Sequence, residues 1–113
     1  MKRIEVVIQP TKVNQVHDVL KKVGYPGVMI SDVEGHGRQK GGSERLVRGA
    51  TLRLPFLAKK RVVLVVKDDE SDGIIKAIRE AAYSGKIGDG KIFVSSIDNV
   101  IRIRTGETGE AAI

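Results

Sequence analysis

Arg61-Val62-Val63-Leu64-Val65-Val66-Lys67-Asp68-Asp69-Glu70 decides how the chain is read. The unbroken Val62 to Val66 run is too short to cross a membrane and has the length of a strand. β-Branched residues without polar alternation suit a central strand with both faces covered. The acids that follow, Asp68, Asp69, Glu70 and Asp72, crowd the start of a helix, where the macrodipole favours negative charge, and they read as capping residues and not catalytic ones. Ile74, Ile78 and Ala81 form the buried stripe of that helix up to Gly85. A strand from Arg61 to Lys67 therefore runs into a helix, which is half of a split βαβ unit.

Moving toward the N-terminus, Lys2 to Gln9 places Ile4, Val6 and Ile8 on one face and Arg3, Glu5, Val7 and Gln9 on the other, a half-buried strand. Thr11 is placed to cap a helix with Val13, Val16, Leu20 and Val23 on one stripe, ended by Gly24 and Pro26. His17 falls on that helix with no second ligand at metal-binding spacing and reads as a polar-face residue. Val28 to Glu34 is a further strand. Toward the C-terminus, Lys91 to Ile97 is a strand, and Val100 to Arg104 alternates as a short one. The order β-α-β-β-α-β predicts an α+β, ferredoxin-like sandwich. Helices would cover one sheet face, leaving Val7, Met29 and alternate residues of the later strands on the other. Self-association through that face is expected.

The chain has 113 residues and fits one domain, 1–113. It contains no cysteine, which excludes disulfides, thiolate metal sites and iron–sulfur clusters. No apolar signal-type stretch follows Met1-Lys2-Arg3, so a cytoplasmic location is expected. The net charge is +6, yet His36 to Arg61 alone sums to +7 and the remainder to −1. Concentrating the surplus in one long connection, which also carries Gly35, Gly37, Gly41, Gly42 and Gly49, points to an anionic ligand or partner.

Between helix and strand lies Gly85-Lys86-Ile87-Gly88-Asp89-Gly90-Lys91. Its glycines accept positive φ, so amide N–H groups can converge on an anion beside the Lys91 ammonium. The spacing approaches a Walker A loop, but Ile92 stands where a Ser or Thr hydroxyl is needed, and the helix precedes the loop instead of following it. A P-loop NTPase is excluded. Gly35-His36-Gly37 likewise fails as a dinucleotide fingerprint, because Lys40 holds the third glycine position.

Four segments, Gly35-His36-Gly37-Arg38-Gln39-Lys40-Gly41, Arg48-Gly49-Ala50, Gly85 to Val94, and Ile101-Arg102-Ile103-Arg104-Thr105-Gly106-Glu107, together resemble the PII nitrogen-regulatory signal proteins of the GlnK type. The resemblance runs in order from Met1 to Ile113. It implies a homotrimer that binds ATP or ADP in clefts between subunits, with Mg2+ and 2-oxoglutarate as effectors, and that docks on targets through a long T-loop, here about 36–56. By position, Gly37, Arg38 and Gln39 at the T-loop base and Gly88, Asp89, Gly90 and Lys91 on the neighbouring subunit's loop (85–91) would hold the phosphates. Arg102 and Arg104, in a C-terminal segment 98–113, would complete the clamp. Val7 and Val65 would sandwich the adenine, with Met29 beside it. Gln39 would ligate the magnesium, and Lys59 would pair with the distal carboxylate of 2-oxoglutarate near Lys40 and Gly41. ATP at about −4, 2-oxoglutarate at about −2 and Mg2+ at +2 leave about −4 against Arg38, Lys59, Lys91, Arg102 and Arg104.

The resemblance further implies docking on an Amt-type ammonium transporter through Arg45, Arg48 and Leu52, with recruitment to the membrane, and on glutamine synthetase or other nitrogen enzymes. Leu52 and Val47 replace the tyrosines that many relatives modify, so control falls to ligands. An extra residue between Glu44 and Arg48 shifts the loop tip. Met29 and Val63 stand where polar residues commonly meet adenine.

The rival reading of the same element order is a basic RNA-binding module. Such a module stacks bases on strand aromatics, and the strands Lys2–Gln9 and Arg61–Lys67 have none, which argues against nucleic acid. With His17 and His36 as the imidazoles and no thiol, no nucleophile–base pair emerges, so no enzymatic role is expected.

Overall fold

The computed structural model describes residues 1–25, 27–35, 44–47, 50–53 and 57–113, the segments 44–47 and 50–53 by backbone alone. Its elements are β1 (Lys2–Ile8), α1 (Val13–Lys22), β2 (Met29–Gly35), β3 (Glu44–Val47), β4 (Ala50–Arg53), β5 (Leu57–Val66), α2 (Asp68–Ala82) and β6 (Lys91–Ser96). The main sheet has the order β2-β5-β1-β6 with every pair antiparallel. Two split βαβ units thus interleave, and the α+β ferredoxin-like arrangement expected from the sequence is the one found. The β3–β4 hairpin is an addition inside the long basic connection, its register running from Glu44↔Arg53 to Val47↔Ala50.

Alternation along β1 explains the layering. Ile4, Val6 and Ile8 are essentially fully buried and join Val62, Leu64 and Val66 of β5 under both helices. Val16 and Leu20 reach this layer from α1, and Ser71, Ile74, Ile78 and Ala82 from α2. The α2 stripe therefore ends on Ala82, with Ala81 only flanking it, and Val23 lies exposed beyond α1. Each fully buried aliphatic contributes about 1.5–3 kcal/mol of transfer free energy, so this layer dominates stability.

The helix ends correct two expectations. Thr11 does not cap α1: Pro10 fixes a short 3-10 turn, Pro10–Lys12, and the N-cap position falls on Lys12. Asp68, Asp69 and Glu70 do fill the first turn of α2, but its N-cap is Lys67, with no side-chain cap bond; their contribution is to the helix dipole. Gly24 ends α1 as expected. At φ +89° it closes a Schellman turn in which the Tyr25 N–H donates to the Leu20 carbonyl at 2.9 Å and the Gly24 N–H to Lys21 at 3.1 Å.

A third correction concerns Val100 to Arg104, which is not a strand. Its backbone closes on itself: the Gly106 N–H donates to Arg102 at 2.8 Å and the Arg102 N–H to Glu107 at 2.9 Å. Gly106, at φ +73°, permits the reversal, and Ile101↔Thr108 is an isolated bridge. Ile103 is consequently fully exposed. Alternation here marks a turn segment with apolar residues on its surface.

The sheet face away from the helices carries Val7, Met29, Val63, Val65 and Phe93 by register, as expected. On this face Val63 is 3% exposed, whereas Met29 at 66% and Phe93 at 51% are open.

Because Ile78 is completely buried between α2 and the sheet, Ile78→Ala is expected to lower the unfolding free energy by about 2–5 kcal/mol with an unchanged denaturant slope. Urea unfolding checks this, and a loss below about 1 kcal/mol would contradict the layer described.

Candidate functional site

Antiparallel pairing brings three chain reversals to one end of the sheet. β2 leaves at Gly35 opposite Leu57, where β5 enters, and β6 enters at Lys91 opposite Val7 near the end of β1. The root of the basic connection and the glycine loop are therefore neighbours by topology. Gly90 shows how close the backbones come: at φ +100°, a Cβ there would lie 1.7 Å from the Val7 carbonyl oxygen. Any side chain at this position would push the loop off β1.

Lys59 joins the two segments. Its side chain, 8% exposed, crosses from β5 so that Nζ donates to the Gly88 carbonyl at 2.9 Å, with Cγ under Gly35. Burial pushes the Lys59 ammonium below its ordinary value, and the Asp89 carboxylate partly opposes that shift. Lys59 and Gly88 thus meet within one chain.

The loop itself already holds a carboxylate. Asp89 accepts the Ser84 N–H at 2.8 Å, the Gly85 N–H at 3.0 Å and the Ser84 hydroxyl. Gly85, Gly88 and Gly90 all take positive φ, as expected, but the first amides of the loop close on Asp89 and not on an outside anion. These hydrogen bonds, that of the Ser84 hydroxyl first, hold the Asp89 carboxyl below its ordinary value, helped by Lys12. The Asp89 side chain thus shapes the loop.

Beside it lies a cavity of about 230 Å³, lined by Val6, Ile8 and Ile92 and by Arg79, Tyr83 and Lys91. The Arg79 guanidinium sits over the Tyr83 ring, 5.9 Å from its centroid. Arg79 was missed in the sequence reading; its place in the last turns of α2, four residues before Tyr83, is the signal that could have found it.

Arg102 and Arg104 do not stand side by side on a strand. Arg102 contacts Glu107 at 3.2 Å and the Ile113 carbonyl at 3.4 Å, while Arg104 lies in the turn before Gly106. β6 also carries the chain away from Lys91 by its whole length, about 17 Å at ~3.3 Å per residue, before this segment begins. Val7 and Val65 share the helix-free face, with Met29 on the edge strand β2. Gly37, Arg38, Gln39, Lys40, Gly41 and Arg48 lie outside the described residues, as do the side chains of Arg45 and Leu52. Among the described residues there is no cluster of three His, Cys, Asp or Glu suited to a metal, and no helix long and apolar enough to cross a membrane.

Comparison with known proteins gives concordant results. The model of the family described as nitrogen regulatory protein P-II matches residues 1–107. A nitrogen regulatory protein P-II of Rhizobium meliloti is 50% identical over 113 residues, covering 100% of each chain. The nitrogen regulatory protein GlnK of Escherichia coli is 47% identical with the same coverage. A crystal structure of Arabidopsis thaliana PII bound to citrate superposes with a TM-score of 0.80 at 40% identity, covering 99% of this chain and 91% of that one.

The Asp89 contacts carry a pH signature. A carboxylate held below its ordinary 3.8 stabilises the loop fully above that value, and the stabilisation is lost as pH falls through the lower folded value. The Ser84 and Gly85 amide resonances are therefore expected to titrate with a midpoint below 3.8, and to lose that transition in Asp89→Asn. A midpoint at or above the ordinary value would refute the contact.

Proposed function

The chain belongs to the nitrogen regulatory protein P-II family, and from that premise we propose that it senses adenine nucleotide and 2-oxoglutarate and signals by docking a T-loop, about 36–56, on nitrogen-assimilation targets. The observation that carries this reading is the Lys59–Gly88 bond, which ties the T-loop root to a glycine loop of phosphate-binding character. A ligand that contacts either partner shifts the other, and this is what a sensor requires.

In this reading the phosphates meet the second half of the loop, Gly88 to Lys91, together with Gly37, Arg38 and Gln39 at the T-loop root of the same chain. Asp89 takes part through its backbone, its carboxylate being committed to Ser84 and Gly85. Arg102 and Arg104 come from a neighbouring copy, consistent with the length of β6 that separates them from Lys91 in their own chain. Val7 and Val65 flank the purine, with Met29 beside it. Gln39 holds Mg2+ with the phosphates, and 2-oxoglutarate chelates that ion while its distal carboxylate takes Lys59. Lys59 must then trade its bond to Gly88 for one to the ligand, a concrete route from oxoacid to loop. Lys40 and Gly41 supply amides to the same carboxylate. The citrate bound to the Arabidopsis relative, itself a polycarboxylate, supports an oxoacid-type ligand here.

Assembly fits the same picture. β2 and β6 are open edges, and each carries exposed apolar residues, Met29 and Ile30 on one and Phe93 and Val94 on the other. Edges of unlike kind joined head to tail close a ring with the helix-free faces turned inward, and we assign a homotrimer. The free T-loop then inserts Arg48, flanked by Arg45 and Leu52, into an Amt-type ammonium transporter in the ADP-loaded state, with glutamine synthetase or other nitrogen enzymes as further targets. The protein works in the cytoplasm as a regulator and not as a catalyst, as one domain spanning 1–113 with nucleotide loop 85–91 and C-terminal segment 98–113.

Calorimetry tests the binding half. Mg-ATP is expected to bind, 2-oxoglutarate to release heat only when Mg-ATP is present, and Lys91→Ala to weaken ATP at least about tenfold, as for one lost charge-assisted contact. No oxoacid heat at millimolar ligand would remove 2-oxoglutarate from the account. Arg48→Ala is expected to abolish transporter inhibition while leaving nucleotide affinity within about threefold; equal transporter binding by mutant and parent would refute the finger role.

A further inference from the structure

We propose that the helix-free face of the sheet binds a small oxyanion of the phosphate or sulfate type, held between assembled copies of the chain by Arg3 and Arg61. The inference rests on the self-association proposed above, and it arises from a charge surplus at the centre of that face.

Glu5 stands in the middle of β1 and is shared by two guanidinium groups, Arg3 Nη1 at 3.0 Å from one oxygen and Arg61 Nε at 3.2 Å from the other. One carboxylate against two cations leaves a net +1. Arg61 Nε is shut away from solvent, yet its approach to Glu5 falls outside hydrogen-bond geometry, so Glu5 neutralises this guanidinium only in part. Around the cluster the same face carries Val7, Val63, Val65 and Phe93. Of the strand positions on this face, counting described residues, Glu5 is the single acid; β2 contributes Met29, Ser31 and Val33, and β6 contributes Lys91, Phe93 and Ser95.

A second copy approaching this face therefore brings more positive charge and no compensating acid. Burying unbalanced cations in apolar surroundings is strongly unfavourable, so assembly needs an anion that the chain does not supply. A guanidinium presents paired N–H donors that match the oxygens of phosphate or sulfate, and chloride offers no such fit. Arg3 and Arg61 are each less than half exposed in one copy, enough to reach an ion centred on the interface.

The test measures thermal unfolding and light scattering of the full chain in sodium phosphate, sodium sulfate and sodium chloride at matched ionic strength, with calorimetric titration of phosphate. Expected are an oligomer in all three salts, a Tm higher by about 4 °C or more in millimolar phosphate or sulfate, and fewer than one tight phosphate per chain. Arg61→Gln and Arg3→Gln, each of which neutralises the cluster, should lose the phosphate response, and Arg61→Lys should keep part of it. Lys76→Ala should retain the response, since that lysine is exposed on α2, away from this face. Equal Tm in all salts, or a response that survives both Gln variants, or one lost in Lys76→Ala, overturns the oxyanion while leaving assembly intact. A monomer in every salt overturns the assembly reading itself. Should one Gln variant fail to assemble, the other decides.

Discussion

A buried ammonium bonded to a loop carbonyl organises the functional end of this protein. Lys59 loses most of its hydration on β5, and its bond to Gly88 compensates for part of that loss. The Gly88 carbonyl and the Asp89 carboxylate, which both act on Lys59, come from one loop. The loop conformation and the position of the β5 entry are thereby coupled. A ligand that offers Lys59 a better partner changes the constraint on both at once.

The coupling exists because of sheet register. Val7 pairs with Lys91 on one side and Arg61 on the other, so the start of β6 and the middle of β5 flank the end of β1. Gly90 then meets the Val7 carbonyl so closely that only glycine fits. Asp89 completes the loop from inside by accepting the amides of Ser84 and Gly85, which follow directly on the end of α2 at Ala82. The same register places the Arg3–Glu5–Arg61 cluster in the middle of the helix-free sheet face. One pattern of strand pairing thus sets both the proposed ligand cleft and the proposed centre of assembly.

Much of this was legible in the sequence because hydrophobic period and glycine placement are local signals. The Ile4, Val6, Ile8 alternation, the Val62 to Val66 run and the glycines at 24, 85, 88 and 90 each dictate a backbone state, and the structure has those states. Three kinds of feature were not legible. Hairpin β3–β4 lies in a basic, glycine-punctuated stretch that has no strand-length apolar alternation. Val100 to Arg104 has the alternation of a strand, but Gly106 lets its backbone bond to itself, and the competing turn prevails because no open partner edge is engaged there. The Lys59–Gly88 contact spans 29 residues and follows only from the folded sheet. Family resemblance named Lys59 as important for a ligand; it did not reveal its partner inside the chain.

Through its bond to Gly88, Lys59 ties β5 to the glycine loop. The most direct measurement is amide hydrogen exchange across residues 85–91 in Lys59→Met against the parent chain. Loss of one hydrogen bond of ordinary net strength predicts exchange about two- to tenfold faster in the loop, with the β1 and β5 amides of the core unchanged. Unaltered protection of the loop in the variant would contradict the claim that Lys59 holds it.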